Sequence, residues 1–188
     1  MIKIAKKEFL LWPNIISLFR LFLAIPLYFS VILNTSDRFN YISLMIVALI
    51  FISDYLDGFL ARRFNQITEL GKLLDPLADK ISLLIVSLAL LQVDKLPLYL
   101  FIAIVLRDLL IFIGGTYVTK KIGYILPSNM VGKITVNIIA IYYIVLLFTE
   151  LSPKFFEIVT FIFIILSFLI YTYRALETLS SHNKEQND

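Results

Sequence analysis

Six apolar runs of about 20 residues each, at 15–34, 40–61, 72–92, 97–119, 131–149 and 153–173, take up most of the chain. A run of that length, wound as helix at 1.5 Å per residue, crosses a hydrocarbon layer ~30 Å thick. Inside that layer every backbone donor and acceptor must be satisfied within the segment, so helix is the expected form of each run. Composition agrees. Hydrophobic residues make up 60% of the 188 and charged residues 16%, against about 45–50% and about 25% in soluble domains. The expectation is an all-α integral membrane bundle of six transmembrane helices in one membrane domain, 13–176.

The connections at 34–40, 93–96 and 150–153 are short and read as tight turns on one side of the membrane, whereas those at 62–71 and 120–130 are longer and more polar. Ahead of the first run, segment 1–12 interleaves Lys3, Lys6 and Lys7 with Ile2, Ile4, Phe9 and Leu10 and ends on Trp12. That pattern predicts an amphipathic helix on the membrane surface, with no removable signal peptide. With the N-terminus in the cytoplasm, eleven Lys and Arg fall on that side and three, Arg38, Lys95 and Lys154, on the other. By the positive-inside rule both termini and both longer loops are then cytoplasmic, in the cell (inner) membrane. Residues 177–188 are expected to form a polar cytoplasmic tail, disordered from Ser180 onward, in which the sole histidine, His182, has no catalytic role. The absence of cysteine excludes disulfides, thiolate catalysis and cysteine metal sites. A net charge of +3, clustered in loops between apolar runs, points to anionic lipid headgroups or phosphorylated substrates and not to nucleic acid.

At the predicted cytoplasmic ends of the second and third runs, four aspartates interrupt this pattern. Asp54, Asp57, Gly58 and Ala61 are spaced i, i+3, i+4, i+7, one face of a helix, and Asp75 and Asp79 are i, i+4 on the next. Carboxylates near a bilayer cost roughly 2.5–3.5 kcal/mol each on insertion scales, which makes them functional candidates. Oxygen donors without His or Cys suit hard cations, Mg²⁺ or Mn²⁺, which keep waters and bridge to phosphates. Gly58 and Ala61 remove bulk from the same face, and Arg62 could grip a phosphate bidentately. Two other readings remain at this point. One is a solvated helix-end cluster neutralised by Arg62, Arg63, Lys72 and Lys80; the other is a cation-coupled carrier, although its site would be expected nearer the midplane.

The run Asp54-x2-Asp57-Gly58-x2-Ala61-Arg62-x8-Gly71-x3-Asp75-x3-Asp79 resembles, at every fixed position, the signature of the CDP-alcohol phosphatidyltransferase family. Asn14-x2-Ser17-x2-Arg20 is similar to the opening of its glycerophosphate-using members. The resemblance implies a six-helix bundle with an N-terminal surface helix, commonly a homodimer. It also implies a reaction in which an acceptor alcohol takes the phosphatidyl group of CDP-diacylglycerol and CMP is released, with two Mg²⁺ or Mn²⁺ ions as cofactors. Carried over position by position, Asp54, Asp57 and Asp75 are metal ligands, and Asp79 is both a ligand and the base. The CDP-diacylglycerol contacts so implied are Gly58, Ala61, Arg62, Thr68, Gly71, Ser17 and Arg20.

The acceptor is sought among the remaining cations. Arg107 lies some twelve residues inside an apolar run and needs a partner; Asp108 is adjacent, although successive residues do not face each other on a helix. Arg107, Lys121 and Lys133 are the expected ligands of an acceptor phosphate. Gly132-Lys133-Ile-Thr135 resembles family members that make phosphatidylglycerophosphate from glycerol 3-phosphate, the preferred acceptor. Arg107-Asp108-Leu-Leu-Ile, followed by Pro127-Ser128 and Lys133, resembles those that make cardiolipin from phosphatidylglycerol, the alternative.

Overall fold

The computed structural model describes residues 11–33, 41–63, 69–122, 129–149 and 153–185, with side chains at 12–13, 54–55, 57–58, 60–62, 69–76 and 182–185 excepted. The surface helix expected at 1–12 falls almost wholly outside these residues, its last residue, Trp12, being the first of α1. Six helices follow in order: α1 Trp12–Ile32, α2 Tyr41–Arg63, α3 Glu69–Gln92, α4 Leu98–Ile122, α5 Met130–Phe148 and α6 Lys154–Glu185. Each predicted apolar run is a helix, and no strand occurs among the described residues.

Among the described residues, four helices are long and apolar enough to cross a membrane, over Asn14–Ile32, Leu98–Ile122, Met130–Phe148 and Lys154–Ser181. α2 and α3, of 23 and 24 residues, have the length. Among the described residues, α2 contributes the shorter apolar stretch Tyr41–Ser53. The chain is a multi-pass membrane protein.

One expectation is corrected at the C-terminus. α6 runs on to Glu185 and does not give way to a disordered tail at Ser180. Residues 174–185 contain no Gly or Pro, and Ala175, Leu176, Glu177, Leu179 and Lys184 favour helix. Polarity marked the end of the apolar span; it did not mark the end of the helix.

The helices group into two compact units that divide between Leu96 and Pro97. In the first, α1 packs against both α2 and α3. Its buried positions are Asn14, Ser17, Arg20, Leu23, Ala24, Leu27 and Val31, a single face at helical spacing. The burial is inverted relative to a soluble helix, since Arg20 is 2% exposed while Phe22 on the outer face is 65% exposed. Water would penalise that arrangement and lipid rewards it. Cross-links between hydroxyl and amide groups tie α1 to its neighbours: Ser30 Oγ lies 2.9 Å from Ser43 Oγ of α2, and Tyr28 donates to Gln92 Oε1 of α3 at 2.7 Å. Pro26 sits inside α1 without ending it, as membrane helices allow.

After α3 the chain turns on Asp94, whose φ of 55° is left-handed. The amides of Lys95 and Leu96 donate to Leu90 O at 3.0 and 3.1 Å, which satisfies a carbonyl at the helix end. An L-residue in this conformation carries a cost that glycine escapes. Asp94→Gly relieves a left-handed cost of about 1–2 kcal/mol against an entropic cost of about 0.5–1 kcal/mol for glycine, so a net stabilisation of up to about 1 kcal/mol is expected, read as a raised thermal midpoint in detergent.

In the second unit α6 packs against α4 and α5. Gly132, Thr135, Ile139, Tyr142 and Leu146 form the buried seam of α5, and Thr160, Ile164 and Ser167 that of α6. The alternating three- and four-residue spacing is that of left-handed helix pairs. Small and hydroxyl-bearing residues let the backbones approach; Thr135 Oγ1 reaches across α6 to Phe163 O at 3.2 Å. A Cβ at Gly132 would stand 2.8 Å from the ring of Tyr171. Gly132→Val should accordingly cost about 1–3 kcal/mol through overpacking. Part of the loss in melting temperature should return when Tyr171→Leu is added.

Candidate functional site

α2 carries Asp54, Asp57, Gly58, Ala61 and Arg62 in its last three turns, and α3 carries Gly71, Asp75 and Asp79 in its first three. Both stretches are helical as expected, so the spacing places Asp54 with Asp57, and Asp75 with Asp79, each pair on one face. α2 and α3 share α1 as a packing partner. Thr68 lies outside the described residues, as do the side chains of Asp54, Asp57, Arg62 and Asp75. Among the described residues no group of three or more His, Asp or Glu forms a metal cluster.

The aspartate whose side chain is described, Asp79, has a partner the sequence did not reveal. Arg20 Nη1 of α1 donates to Asp79 Oδ1 in an ion pair. The two ends differ in access, the Arg20 side chain being 2% exposed and that of Asp79 47%. A guanidinium withdrawn from solvent requires a counter-charge, and the half-exposed carboxylate supplies one while keeping an open side. Asn14, Ser17 and Arg20, at 1%, 0% and 2% exposure, lie three residues apart on the inner face of α1. Ser17 and Arg20, expected to contact CDP-diacylglycerol, are thus buried within the first unit, with Arg20 on the carboxylate expected to take the proton.

The second unit holds the other expected cations. Lys120 and Lys121 are exposed in the last turn of α4, and Lys133 is exposed in the first turn of α5. Arg107 is buried at 6% exposure. Its Nη1 donates to Asp108 Oδ1 at 2.6 Å, Nη2 to Ser167 Oγ at 2.7 Å and to Gly132 O at 3.4 Å, and Nε to Ser167 Oγ at 3.3 Å. The adjacent aspartate is a partner after all, because the long arginine stem can fold back where shorter side chains cannot. Ser167 was missed. The available signal was the stripe Thr160, Ser167, Tyr171, hydroxyls at helical spacing within an apolar run.

Comparison with known proteins bears on what these two groups do. Residues 10–173 match the family model described as CDP-alcohol phosphatidyltransferase. A protein of Aquifex aeolicus named "CDP-diacylglycerol--glycerol-3-phosphate 3-phosphatidyltransferase" is 33% identical over 180 residues, covering 89% of this chain and 97% of the relative. A Streptomyces coelicolor protein named "Cardiolipin synthase (CMP-forming)" is 40% identical over 130 residues, 64% of this chain and 57% of the relative. A Bacillus subtilis protein bearing the same name as the Aquifex one is 33% identical over 134 residues, 65% of this chain and 68% of the relative. The match takes in all eight positions of the aspartate signature and both helical units up to Tyr173, and on that extent the chain belongs to the CDP-alcohol phosphatidyltransferase family.

Proposed function

We propose that the protein transfers the phosphatidyl group of CDP-diacylglycerol to glycerol 3-phosphate, giving phosphatidylglycerophosphate and CMP. The observation that carries this reading is the intact signature on the consecutive ends of α2 and α3, with Asp79 half-exposed on buried Arg20. In the reaction a hydroxyl oxygen of the acceptor forms a bond to the lipid-side phosphorus. The pyrophosphate bridge bond breaks, CMP leaves with that electron pair, and the hydroxyl proton passes to the Asp79 carboxylate. Arg20 holds that carboxylate in place through the pair described above.

The remaining roles follow the donor chemistry. Asp54, Asp57, Asp75 and Asp79 form an all-carboxylate set, which fits Mg²⁺ or Mn²⁺ and not a softer metal. Two such ions, when bound, supply positive charge against the attacked phosphorus and the departing CMP. Gly58, Ala61 and Gly71 leave room beside the nucleotide, while Arg62 and Thr68 bind it, with Ser17 supporting from α1. The acceptor phosphate is assigned to the basic region of the second unit, where Lys121 and Lys133 are exposed and Arg107 is buried. Six crossings, a cytoplasmic active site and cytoplasmic termini complete the reading, supported by the charge asymmetry of the loops. A homodimer is proposed on the resemblance to the family.

Glycerol 3-phosphate is favoured because similarity to the Aquifex relative runs nearly end to end, 97% of that protein. The second reading, phosphatidylglycerol as acceptor, is supported by 40% identity to the Streptomyces protein over a shorter stretch. Purified protein given CDP-diacylglycerol, Mg²⁺ and each acceptor in turn separates the two by CMP release. Turnover with phosphatidylglycerol and none with glycerol 3-phosphate would reverse the assignment.

A further inference from the structure

Within the proposed acceptor group the cations differ in kind. Lys121 and Lys133 are exposed, whereas Arg107 is buried with all three guanidinium nitrogens engaged by protein. Arginine offers five N–H donors, and four of them are spent here on Asp108, on Ser167 of α6 and on the carbonyl of Gly132. A phosphate bound directly by this side chain would have to break contacts already made inside an apolar unit.

Those contacts converge on the first turn of α5. Gly132 directly precedes Lys133 and is pressed against Tyr171, leaving no space for a Cβ. Tyr171 in turn accepts a hydrogen bond from the Asn129 amide at 3.4 Å. Asn129 is 5% exposed and caps α5, its Oδ1 accepting from the Val131 amide at 3.1 Å and its carbonyl from the Lys133 amide at 3.2 Å. The backbone of Lys133 is therefore fixed from two sides, by Asn129 through Tyr171 and by Gly132 through Arg107 and Ser167.

We propose that Arg107 is a positioning residue, which clamps α5 between α4 and α6 so that Lys133 is the side chain meeting the acceptor's phosphate. The inference rests on the proposed acceptor chemistry but not on which acceptor is used, since glycerol 3-phosphate and phosphatidylglycerol both carry phosphate. It divides the labour in the second unit. Exposed lysines bind, and the buried arginine and its serine hold them in register.

The test is a double-mutant cycle on Arg107→Gln and Lys133→Gln, read as KM for the acceptor, KM for CDP-diacylglycerol and kcat. Lys133→Gln should raise the acceptor KM about 10- to 100-fold, the worth of one charge-assisted contact, with the CDP-diacylglycerol KM unchanged. Arg107→Gln should act in the same direction, and the double variant should be no worse than Lys133→Gln alone, because the first acts through the second. Multiplying effects would mean that Arg107 binds phosphate itself, and a parallel rise in both KM values would mean that it merely holds the fold; either overturns the proposal. Ser167→Ala supplies a milder variant that keeps the charge. It should raise the acceptor KM selectively, and an unchanged acceptor KM would count against the clamp. Wild-type turnover with phosphatidylglycerol alone would refute the preferred acceptor, and the same cycle would then be read on phosphatidylglycerol.

Discussion

Asp79→Asn is expected to lower the rate of CMP release by about 10²–10⁴-fold, the usual contribution of a positioned general base, while leaving the protein folded. Asparagine keeps the volume of the side chain and an oxygen that can accept from Arg20 Nη1, so the tie between α1 and α3 survives. It loses the capacity to take a proton. Divalent-ion binding, followed by Mn²⁺ electron paramagnetic resonance on the purified variant, should persist through Asp54, Asp57 and Asp75. A variant with wild-type turnover would remove Asp79 from the chemistry. One that no longer folds would indicate that its pairing with Arg20 is structural above all.

Chelation should produce the other large effect. Treatment with EDTA is expected to suppress CMP release by about 10³-fold or more, given that metal charge contributes several kcal/mol to such transition states. Mg²⁺ or Mn²⁺ should restore it. Helicity by circular dichroism should not change, because both units are held by apolar seams and hydroxyl cross-links that involve no carboxylate cluster. Loss of helicity together with activity would mark the aspartates as a structural cage and argue against a catalytic centre.

The fold was largely legible because each helix announces itself twice, by length and by the polar connection that follows it. At Ser180 loss of hydropathy does not coincide with loss of helix: α6 continues to Glu185, with no Gly or Pro to stop it. The aspartates were legible from spacing, since helical periodicity alone groups them. Their surroundings were not. The Arg20–Asp79 pair joins residues 59 apart, and the Arg107–Ser167 contact joins residues 60 apart. No periodicity reports such long-range pairing. What the sequence did show was the need, a guanidinium in an apolar helix, and the structure identifies how that need is met.

The central claim, that an acceptor hydroxyl displaces CMP from CDP-diacylglycerol, is tested most directly by following the attacking oxygen. Glycerol 3-phosphate labelled with ¹⁸O in its 1-hydroxyl is incubated with the purified protein, CDP-diacylglycerol and Mg²⁺, and the products are weighed by mass spectrometry. The account predicts label retained in a phosphatidylglycerophosphate product, formed in equal amount to unlabelled CMP. CMP released without labelled lipid, or label acquired from ¹⁸O-water in its place, would contradict it.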